Sequence, residues 1–562
     1  MTSLGRYWRT LRHLKLQQFT GRLVFKLWKP RLPTGPVPVP NTRPVAGKWV
    51  PPAQREASLR GPGQFVFLNE PGDLADLGWD GPGPSKLWRY NQHYFDDLNA
   101  LDAAARRAWH NTLLQSWVAD NPATAGSGWE PYPTSLRVVN WVKWWLGGAP
   151  TNAAQQASLC TQARWLRRRM EWHLLGNHLF ANAKALVFAG LLFEGAEADE
   201  WLACGLRVLE REIPEQVLPD GGQFERSPMY HALALEDVLD LLNAFKTFGA
   251  PNRHAAKVQA MCLDHAPRML HWLQCMSHPD GGIAFFNDGA HGIAPSNAEL
   301  NRYAAALGVS ASSRPEGKSH KNTQWLAASG YARVERDGLV ALLDLAPVGP
   351  DYLPGHAHAD TLSMEFSLSG QRVLVNGGTS CYGTSARRLA ERGTAAHNTV
   401  QVADEDSSEV WSGFRVGRRA YPLNVRVDAD QISAEHNGYK WLPGQPVHRR
   451  AWSFGGNSLL VEDLVTPNVD NAVARYHLAP GLRLLSADLH IWHVLREDEF
   501  VAQLQVLQGD AEVTESVHAP RFGQIVETQC LTVRLSASRA AVRWIWGSDA
   551  HLVLDRQLSA GS

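Results

Sequence analysis

Long apolar runs are missing from this sequence, because no stretch approaches the roughly 20 residues that cross a bilayer. No apolar run of signal-peptide length follows the basic start either. The six cysteines are spread too widely for a metal or redox motif, and 55 basic side chains balance 55 acidic ones. We therefore expect a soluble cytoplasmic protein without a disulfide framework, an integral membrane segment or a nucleic-acid partner. Export to the periplasm or medium by another route is the alternative.

A chain of 562 residues is predicted to form two or three domains. The composition and the spacing of apolar residues change twice along it. Residues 1–84 combine a basic amphipathic start with an arm rich in Pro and Gly. Apolar residues recur at helical spacing over 85–320 and at strand spacing over 321–562. We therefore predict an α+β multidomain chain in which a helical domain precedes an antiparallel β-sandwich. The basic start is compatible with docking on a membrane or partner, although packing on its own protein is the favoured interpretation.

Three loops of the helical half are rich in polar and aromatic residues. They occur in "GNHLFANAKAL", "GGQFERSPMYH" and "HPDGGIAFFNDGAHG". Each residue alone is compatible with a helix cap or a buried hydroxyl, but three such loops in successive helical units suggest one shared cleft. The residues concerned are Asn177, His178, Tyr230, His231, His278, Asn287, Asp288 and His291.

The sheet half opens with "PGHAHADTLSMEFSLSG", in which His356, His358 and Asp360 occupy alternate positions. Apolar residues of the same parity follow, from Leu362 to Leu368, which predicts a half-buried strand. If the extended backbone begins early, the three polar side chains point the same way as the buried face of the strand. Their residue types leave metal ligands, catalysts and packing residues as open alternatives.

These motifs occur as an ordered set, together with "RGTAAHNTVQVADEDSSEVW", "HRRAW" and "YHLAPGLRL". With them the chain resembles the heparinase II/III family of polysaccharide lyases over roughly residues 85–545. The resemblance implies an N-terminal (α/α) toroid followed by a C-terminal antiparallel β-sandwich. It also implies β-elimination at C5 and O4 of a uronic-acid polysaccharide, which leaves 4,5-unsaturated uronate ends. A glycosaminoglycan-like substrate is the first expectation and an alginate-like one the second.

The resemblance also implies roles for individual residues. Asn177 and His178 resemble the clamp that neutralises the uronate carboxylate. This neutralisation should contribute most to lowering the reaction barrier. Tyr230 resembles the acid that protonates the leaving oxygen, and doubles as the base when hydrogen and leaving group share a face. His356 resembles the base on the opposite side. A tyrosine and a histidine serve these roles at neutral pH only if the site tunes their pKa values.

A divalent metal at the domain junction is a further implication of the resemblance, with zinc, manganese or calcium as the ion. The ligand positions fall on His358, Asn376 and His397, and Asn376 departs from the aspartate that the family usually carries. Two neutral imidazoles and an amide suit zinc poorly, unless Asp360 or another carboxylate substitutes. The alternative is that the two histidines hydrogen-bond across the junction. No organic cofactor is expected.

Substrate subsites are expected where guanidinium forks and aromatic rings can meet an acidic sugar chain. Ordinary salt bridges and packing of the first helices are the competing interpretation for every one of these residues. The candidates are Tyr90, Asn91, His93, Trp129, Arg137, Tyr382, Arg387 and Arg392.

Two other functions remain open on sequence alone. A uronyl C5-epimerase shares the proton abstraction but reprotonates the opposite face. A non-catalytic exopolysaccharide-binding or assembly protein would use the same scaffold without chemistry. In all three cases the expected partner is an acidic polysaccharide, and the oligomeric state is left open.

Overall fold

The computed structural model describes residues 4–32, 39–312 and 322–547. In this part of the chain a helical region precedes antiparallel sheets, which confirms the predicted fold class. The predicted domain boundary at residue 320 lies outside the described residues. The α-helices are α1 (Leu4–Leu11), α2 (Leu16–Leu27), α3 (Leu74–Leu77), α4 (Lys86–Tyr94), α5 (Arg107–Asp120), α6 (Pro131–Leu146), α7 (Ala153–Arg169), α8 (Gly176–Leu192), α9 (Ala196–Gln216), α10 (Pro228–Phe248), α11 (Arg253–Cys275), α12 (Asn297–Ala306) and α13 (Ala386–Arg392).

The arm that precedes the toroid is more regular than its Pro and Gly content predicts. It contains a three-stranded sheet of β1 (Leu59–Gly61), β2 (Gln64–Phe67) and β3 (Glu70–Asp73). Phe65 and Phe67 are both buried, and the Phe67 ring meets Trp88 edge-on at 5.2 Å between centroids. Burial of these two aromatic rings supplies the apolar contact that a short sheet needs.

Helix α8 runs through the centre of the helical domain and is buried on all sides. Every residue from Leu179 to Leu192 is buried, and the two polar ones, Asn182 and Lys184, bind polar side chains of neighbouring elements. It packs against α6, α9 and α10. The N-terminal turn of α8, which carries Asn177 and His178, is therefore held by a rigid element. Among the described residues, no helix has the length and apolar character that crossing a membrane requires.

The strands of the C-terminal region form one eight-stranded, one five-stranded, one four-stranded and one two-stranded antiparallel sheet. Their orders are β12-β13-β14-β15-β22-β19-β18-β17, β4-β5-β6-β7-β8, β20-β21-β16-β9 and β10-β11. The bounds are β4 (Thr323–Leu326), β5 (Tyr331–Arg336), β6 (Leu339–Asp344), β7 (Met364–Leu368), β8 (Gln371–Leu374), β9 (Val400–Val402), β10 (Val410–Trp411), β11 (Arg415–Val416), β12 (Pro422–Val427), β13 (Gln431–His436), β14 (Val447–Phe454), β15 (Ser458–Thr466), β16 (Ala472–His477), β17 (Leu482–Asp488), β18 (Ile491–Arg496), β19 (Glu499–Gln508), β20 (Asp510–His518), β21 (Val526–Arg534) and β22 (Arg539–Ile545).

Strand β7 is buried on both faces, so the prediction of a half-buried strand was wrong for its polar face. Glu365 and Ser367 of that face bind the two ring nitrogens of His278, at 2.8 Å and 2.7 Å. His278 belongs to the helical domain, which covers this side of the sheet. The strand also begins only at Met364, so His356, His358 and Asp360 lie in the loop before it.

A fully buried ion pair stabilises the eight-stranded sheet. Asp463 on β15 accepts hydrogen bonds from the Arg450 guanidinium at 2.7 Å and 2.9 Å, and lies 2.7 Å from His448 Nε2. Burial raises the pKa of Asp463, but Arg450 and His448 outweigh that effect and bring it to about 2. The carboxylate is therefore charged throughout the physiological range.

Replacing the Asp463 carboxylate should lower the stability of the sheet domain. Asp463→Asn leaves the buried Arg450 without its counter-charge, a loss that typically costs about 3–5 kcal/mol. The exposed Asp470→Asn serves as control and should leave the melting temperature unchanged. The measurement is thermal unfolding, and equal melting temperatures for the two variants would contradict the assignment.

Candidate active site

A cleft of about 1720 Å³ opens where loops of the helical domain meet loops of the sheet domain. Some of the residues predicted to share a cleft therefore line this one, and others do not. His231 and His278 do not line it, because they are buried and bind the Met269 carbonyl and Glu365 instead. The candidates that line it include Asn177, His178, Tyr230, His291, His356 and Tyr382.

The clamp candidates lie in the first turn of α8, which the chain enters through a left-handed step. Leu175 has φ +62° and Gly176 has φ +52°. Glycine suits the left-handed backbone at position 176, and a Cβ there would lie 2.4 Å from Leu353 Cδ2, so that side chain would have to move. Asn177 lines the cleft.

His178 is held between an aromatic ring and a carboxylate. Its ring lies 4.4 Å from Tyr132, and its Nδ1 lies 3.2 Å from Glu171 Oε1 in poor alignment for a hydrogen bond. Asn182 fixes Glu171 by accepting from its backbone N–H at 2.7 Å. Burial lowers the pKa of His178, but the Glu171 carboxylate outweighs burial and leaves the pKa raised. The imidazole therefore holds its proton to higher pH than a free histidine.

Tyr230 lies in the first turn of α10, positioned by the cap of that helix. Ser227 Oγ accepts from the Tyr230 backbone N–H at 3.2 Å and donates to the Asp288 carbonyl. The Tyr230 hydroxyl lies 2.8 Å from the Tyr382 hydroxyl of the sheet domain. Burial first, and then Tyr382 and Asp288, raise the pKa of Tyr230 well above its usual value. The phenol is therefore protonated at neutral pH.

His356 stacks on Tyr230 and is oriented by an aspartate. The two rings are 3.7 Å apart and inclined by 27°. His356 Nδ1 lies 2.9 Å from Asp288 Oδ2, whereas Nε2 lies 3.8 Å from Glu225 Oε2, and both His356 and Glu225 line the cleft. A carboxylate at Nδ1 favours the tautomer with the proton there, which leaves the Nε2 lone pair available as a base.

Asp288 connects the two domains through a fully buried charge network. Its carboxylate forms a two-pronged pair with the Arg388 guanidinium and lies 2.8 Å from His358 Nε2, besides binding His356. Burial raises the pKa of Asp288, but Arg388 first and then the two histidines hold it well below its usual range. Asp288 also donates its backbone N–H to the His356 carbonyl at 2.9 Å.

The expected metal ligands are buried together but lack a charged donor. His358 Nδ1 lies 3.2 Å from His397 Nε2, and Asn376 Oδ1 accepts from the Asn398 backbone N–H at 3.1 Å. Within the described ranges, no group of three or more His, Cys, Asp or Glu side chains is placed to hold a metal ion. These residues do not fit a zinc site, which uses His, Cys and carboxylate. The metal stays a prediction, and no chemical step is assigned to it.

The expected subsite residues divide between the cleft and the core. Tyr90, Asn91 and Tyr382 line the cleft, and the Tyr90 hydroxyl donates to Glu130. The other five do not line it, so their placement does not support substrate contact. They are His93, Trp129, Arg137 and Arg392, which are buried, and Arg387, which is exposed on α13.

Arg137 and Arg392 are buried because their guanidinium groups serve the fold. Arg137 donates to Gln162 Oε1 at 2.9 Å and stacks on Trp117 at 3.8 Å. Arg392 donates to the Ala357 carbonyl from two nitrogens, at 3.1 Å and 2.9 Å. Neither fork is available to a carboxylate or sulfate of a ligand.

The sequence predicted no catalytic role for Asp288, Glu225 or Arg388. The available signal for Asp288 was its place in one of the three polar loops. Glu225 lies two residues before the Ser227 cap, and burial raises its pKa. The pairing of Asp288 with Arg388 joins positions 100 residues apart, which no local pattern reveals.

Comparison with known proteins places these features in a family. The profile described as "Heparinase II/III N-terminus" matches residues 99–310, and "Heparinase II/III-like, C-terminal" matches residues 318–545. The chain is 24% identical over 327 residues to a heparin-sulfate lyase of Bacteroides stercoris, covering 54% of this chain and 46% of that protein. The chain thus spans about half the length of that curated relative.

Two further similarities cover more of the chain. FtsZ-localized protein C of Caulobacter vibrioides (strain NA1000 / CB15N) is 27% identical over 562 residues, covering 90% of this chain and 89% of that protein. The crystal structure of heparinase III aligns with a TM-score of 0.62 at 16% identity, over 81% of this chain and 76% of that one. At this identity the structural match supports the toroid-plus-sheet fold alone. With both family profiles matched in order along most of its length, the chain belongs to the heparinase II/III-like family.

Proposed function

We propose that this protein is a polysaccharide lyase that cleaves a uronate-containing, glycosaminoglycan-type chain by β-elimination. The observation that carries the proposal is the convergence of three groups on one cleft. A neutral phenol, an aspartate-oriented imidazole and a helix turn bearing an amide and an imidazole all line it. These are the acid, base and carboxylate clamp that the reaction requires.

The clamp consists of Asn177 and His178. The C5–H of a uronate is very weakly acidic while the adjacent carboxylate is ionised, so donors to that carboxylate lower the barrier most. The raised pKa of His178 favours its charged form, and a charged donor binds a carboxylate more strongly than a neutral one. The backbone N–H groups at the start of α8 add to the favourable potential.

His356 is assigned the role of base. With Nδ1 bound to Asp288, Nε2 can take the C5 proton, and the resulting imidazolium is stabilised by the Asp288 carboxylate. Glu225 lies 3.8 Å from the same nitrogen. Burial raises the pKa of Glu225, which reduces the tendency of this carboxyl to carry a charge beside the substrate carboxylate.

Tyr230 is assigned the role of acid. Its pKa lies well above the usual value, so the hydroxyl carries its proton when the substrate binds. It can pass that proton to O4 as the C4–O4 bond breaks, and Tyr382 holds the hydroxyl in place at 2.8 Å. The stacked rings of Tyr230 and His356 set acid and base side by side.

The charges of the cleft favour a substrate with few or no sulfates. Most basic side chains that line it are already paired with acidic side chains of this chain, and so have little to offer a dense row of sulfates. Six of the nine lysines and arginines that line the cleft form such pairs. The pairs are Arg55 with Glu236, Lys86 with Glu130, Lys143 with Glu236 and Asp240, Lys184 with Asp237 and Asp240, Arg419 with Asp351, and Arg521 with Glu56.

A second candidate function is supported by the extent of one match. FtsZ-localized protein C covers 90% of this chain, whereas the heparin-sulfate lyase covers 54%. On this alternative the protein uses the lyase scaffold for localisation with FtsZ and has no turnover. The same assay separates the two candidates.

The assay is the ultraviolet absorbance of the unsaturated uronate, measured with a panel of purified uronate polysaccharides. We expect product with unsulfated glucuronate polymers and less with their highly sulfated counterparts. Binding without absorbance across the whole panel would contradict the lyase and favour the second candidate. A change in uronate configuration without absorbance would indicate an epimerase.

Removing the Tyr230 hydroxyl should abolish turnover while the protein still binds substrate. We expect Tyr230→Phe to lower kcat by roughly 10²–10⁴-fold, the usual worth of a general acid or base. Tyr439→Phe is the matched control, because its buried hydroxyl donates to the Val400 carbonyl far from the cleft. The control should keep its kcat and lose thermal stability. Activity of Tyr230→Phe within a few-fold of wild type would contradict the role.

A further inference from the structure

Helices α1 and α2 each contact the rest of the protein with one face only. Trp411 Nε1 donates to Thr10 Oγ1 of α1 at 3.1 Å. The buried Gln18 of α2 donates to the Tyr352 carbonyl at 3.1 Å. These contacts fix the orientation of both helices, so the side chains of the opposite face are held outward.

The outward face is apolar along its whole length. Leu4 and Trp8 are 89% and 68% exposed, and Leu23 and Leu27 are 60% and 72% exposed. The spacing of these residues at three and four keeps them on one side of each helix. The two stripes, here called the N-terminal apolar face, consist of Leu4, Trp8, Leu16, Phe19, Leu23 and Leu27.

Exposed apolar side chains are concentrated in this segment. Ten of the 26 large hydrophobic residues that are exposed in the described part of the chain lie between Leu4 and Trp28. Scattered single residues of this kind are normal on a surface, but a continuous group usually marks a binding surface. The remaining 16 are distributed over more than 450 described residues.

The charge of the segment is of one sign. The first 55 residues contain no aspartate or glutamate, although the whole chain has 55 of them. Eight lysines and arginines occur in the first 31 residues. Arg9 and Lys15 pair with Glu409 and Glu215 of the body, whereas Lys26 and Lys29 are exposed beside the apolar face. A partner must therefore accept apolar side chains and carry negative charge around them.

We propose that the N-terminal apolar face docks the protein on the surface of an anionic phospholipid bilayer. Leucine, phenylalanine and tryptophan side chains would enter the boundary between headgroups and acyl chains, while the basic residues contact lipid phosphates. Helices of 8 and 12 residues fit this position, since they lie in the plane of the interface and do not span it. The charge complementarity favours a lipid surface over a second copy of this chain, which would oppose basic residues to basic residues.

The test is flotation of the full-length protein with vesicles of phosphatidylcholine alone or mixed with phosphatidylglycerol. We expect binding to the anionic vesicles only, weakened by salt as surface electrostatics require. Leu23→Ser combined with Leu27→Ser should reduce the bound fraction at least about 10-fold, because these side chains provide buried apolar area. Neither residue lines the cleft.

The matched control is Leu489→Ser combined with Leu507→Ser, which removes two exposed leucines from the sheet domain. It should bind vesicles as wild type does, and both double variants should keep the wild-type melting temperature. The proposal is overturned if wild type does not float with anionic vesicles at low salt, or if the Leu23 and Leu27 variant floats equally well. It is also overturned if those leucines instead mediate a dimer in solution, measured by ultracentrifugation without lipid.

Discussion

The buried ion pair between Asp288 and Arg388 is the interaction on which the site depends. Asp288 comes from the helical domain and Arg388 from helix α13, which follows strand β8 in the sheet region. A buried carboxylate without partners is very costly, so this one is stable only where Arg388, His356 and His358 surround it. The pair thus fixes the position of one domain on the other and, in the same step, the orientation of His356.

The three proposed chemical roles are assigned to three separate elements that meet at this junction. The clamp lies at the start of α8, the phenol lies at the start of α10, and the imidazole lies in the loop before β7. Ser227 connects two of these elements, because it caps α10 and binds the backbone of Asp288. The spacing of acid, base and clamp is consequently a property of the docked domains.

The sequence predicted what periodicity and family motifs determine. The change from helical to strand spacing gave the order of the domains, and the motifs identified Asn177, His178, Tyr230 and His356, which line one cleft. It did not reveal which arginine of "ARRLAERG" faces Asp288. Neighbouring helical residues point about 100° apart, so Arg388 is buried while Arg387 is exposed. The second buried face of β7 was also hidden, because its partner His278 lies 87 residues away.

The central claim is that His356 removes the C5 proton and Tyr230 supplies the proton to O4. The direct measurement is deuterium incorporation at C5 of the recovered polysaccharide after incubation in D2O. With Tyr230→Phe the proton can leave and return although O4 cannot be expelled, so exchange without cleavage is the predicted result. With His356→Ala neither exchange nor cleavage should occur. Exchange that persists in His356→Ala and disappears in Tyr230→Phe would contradict the account.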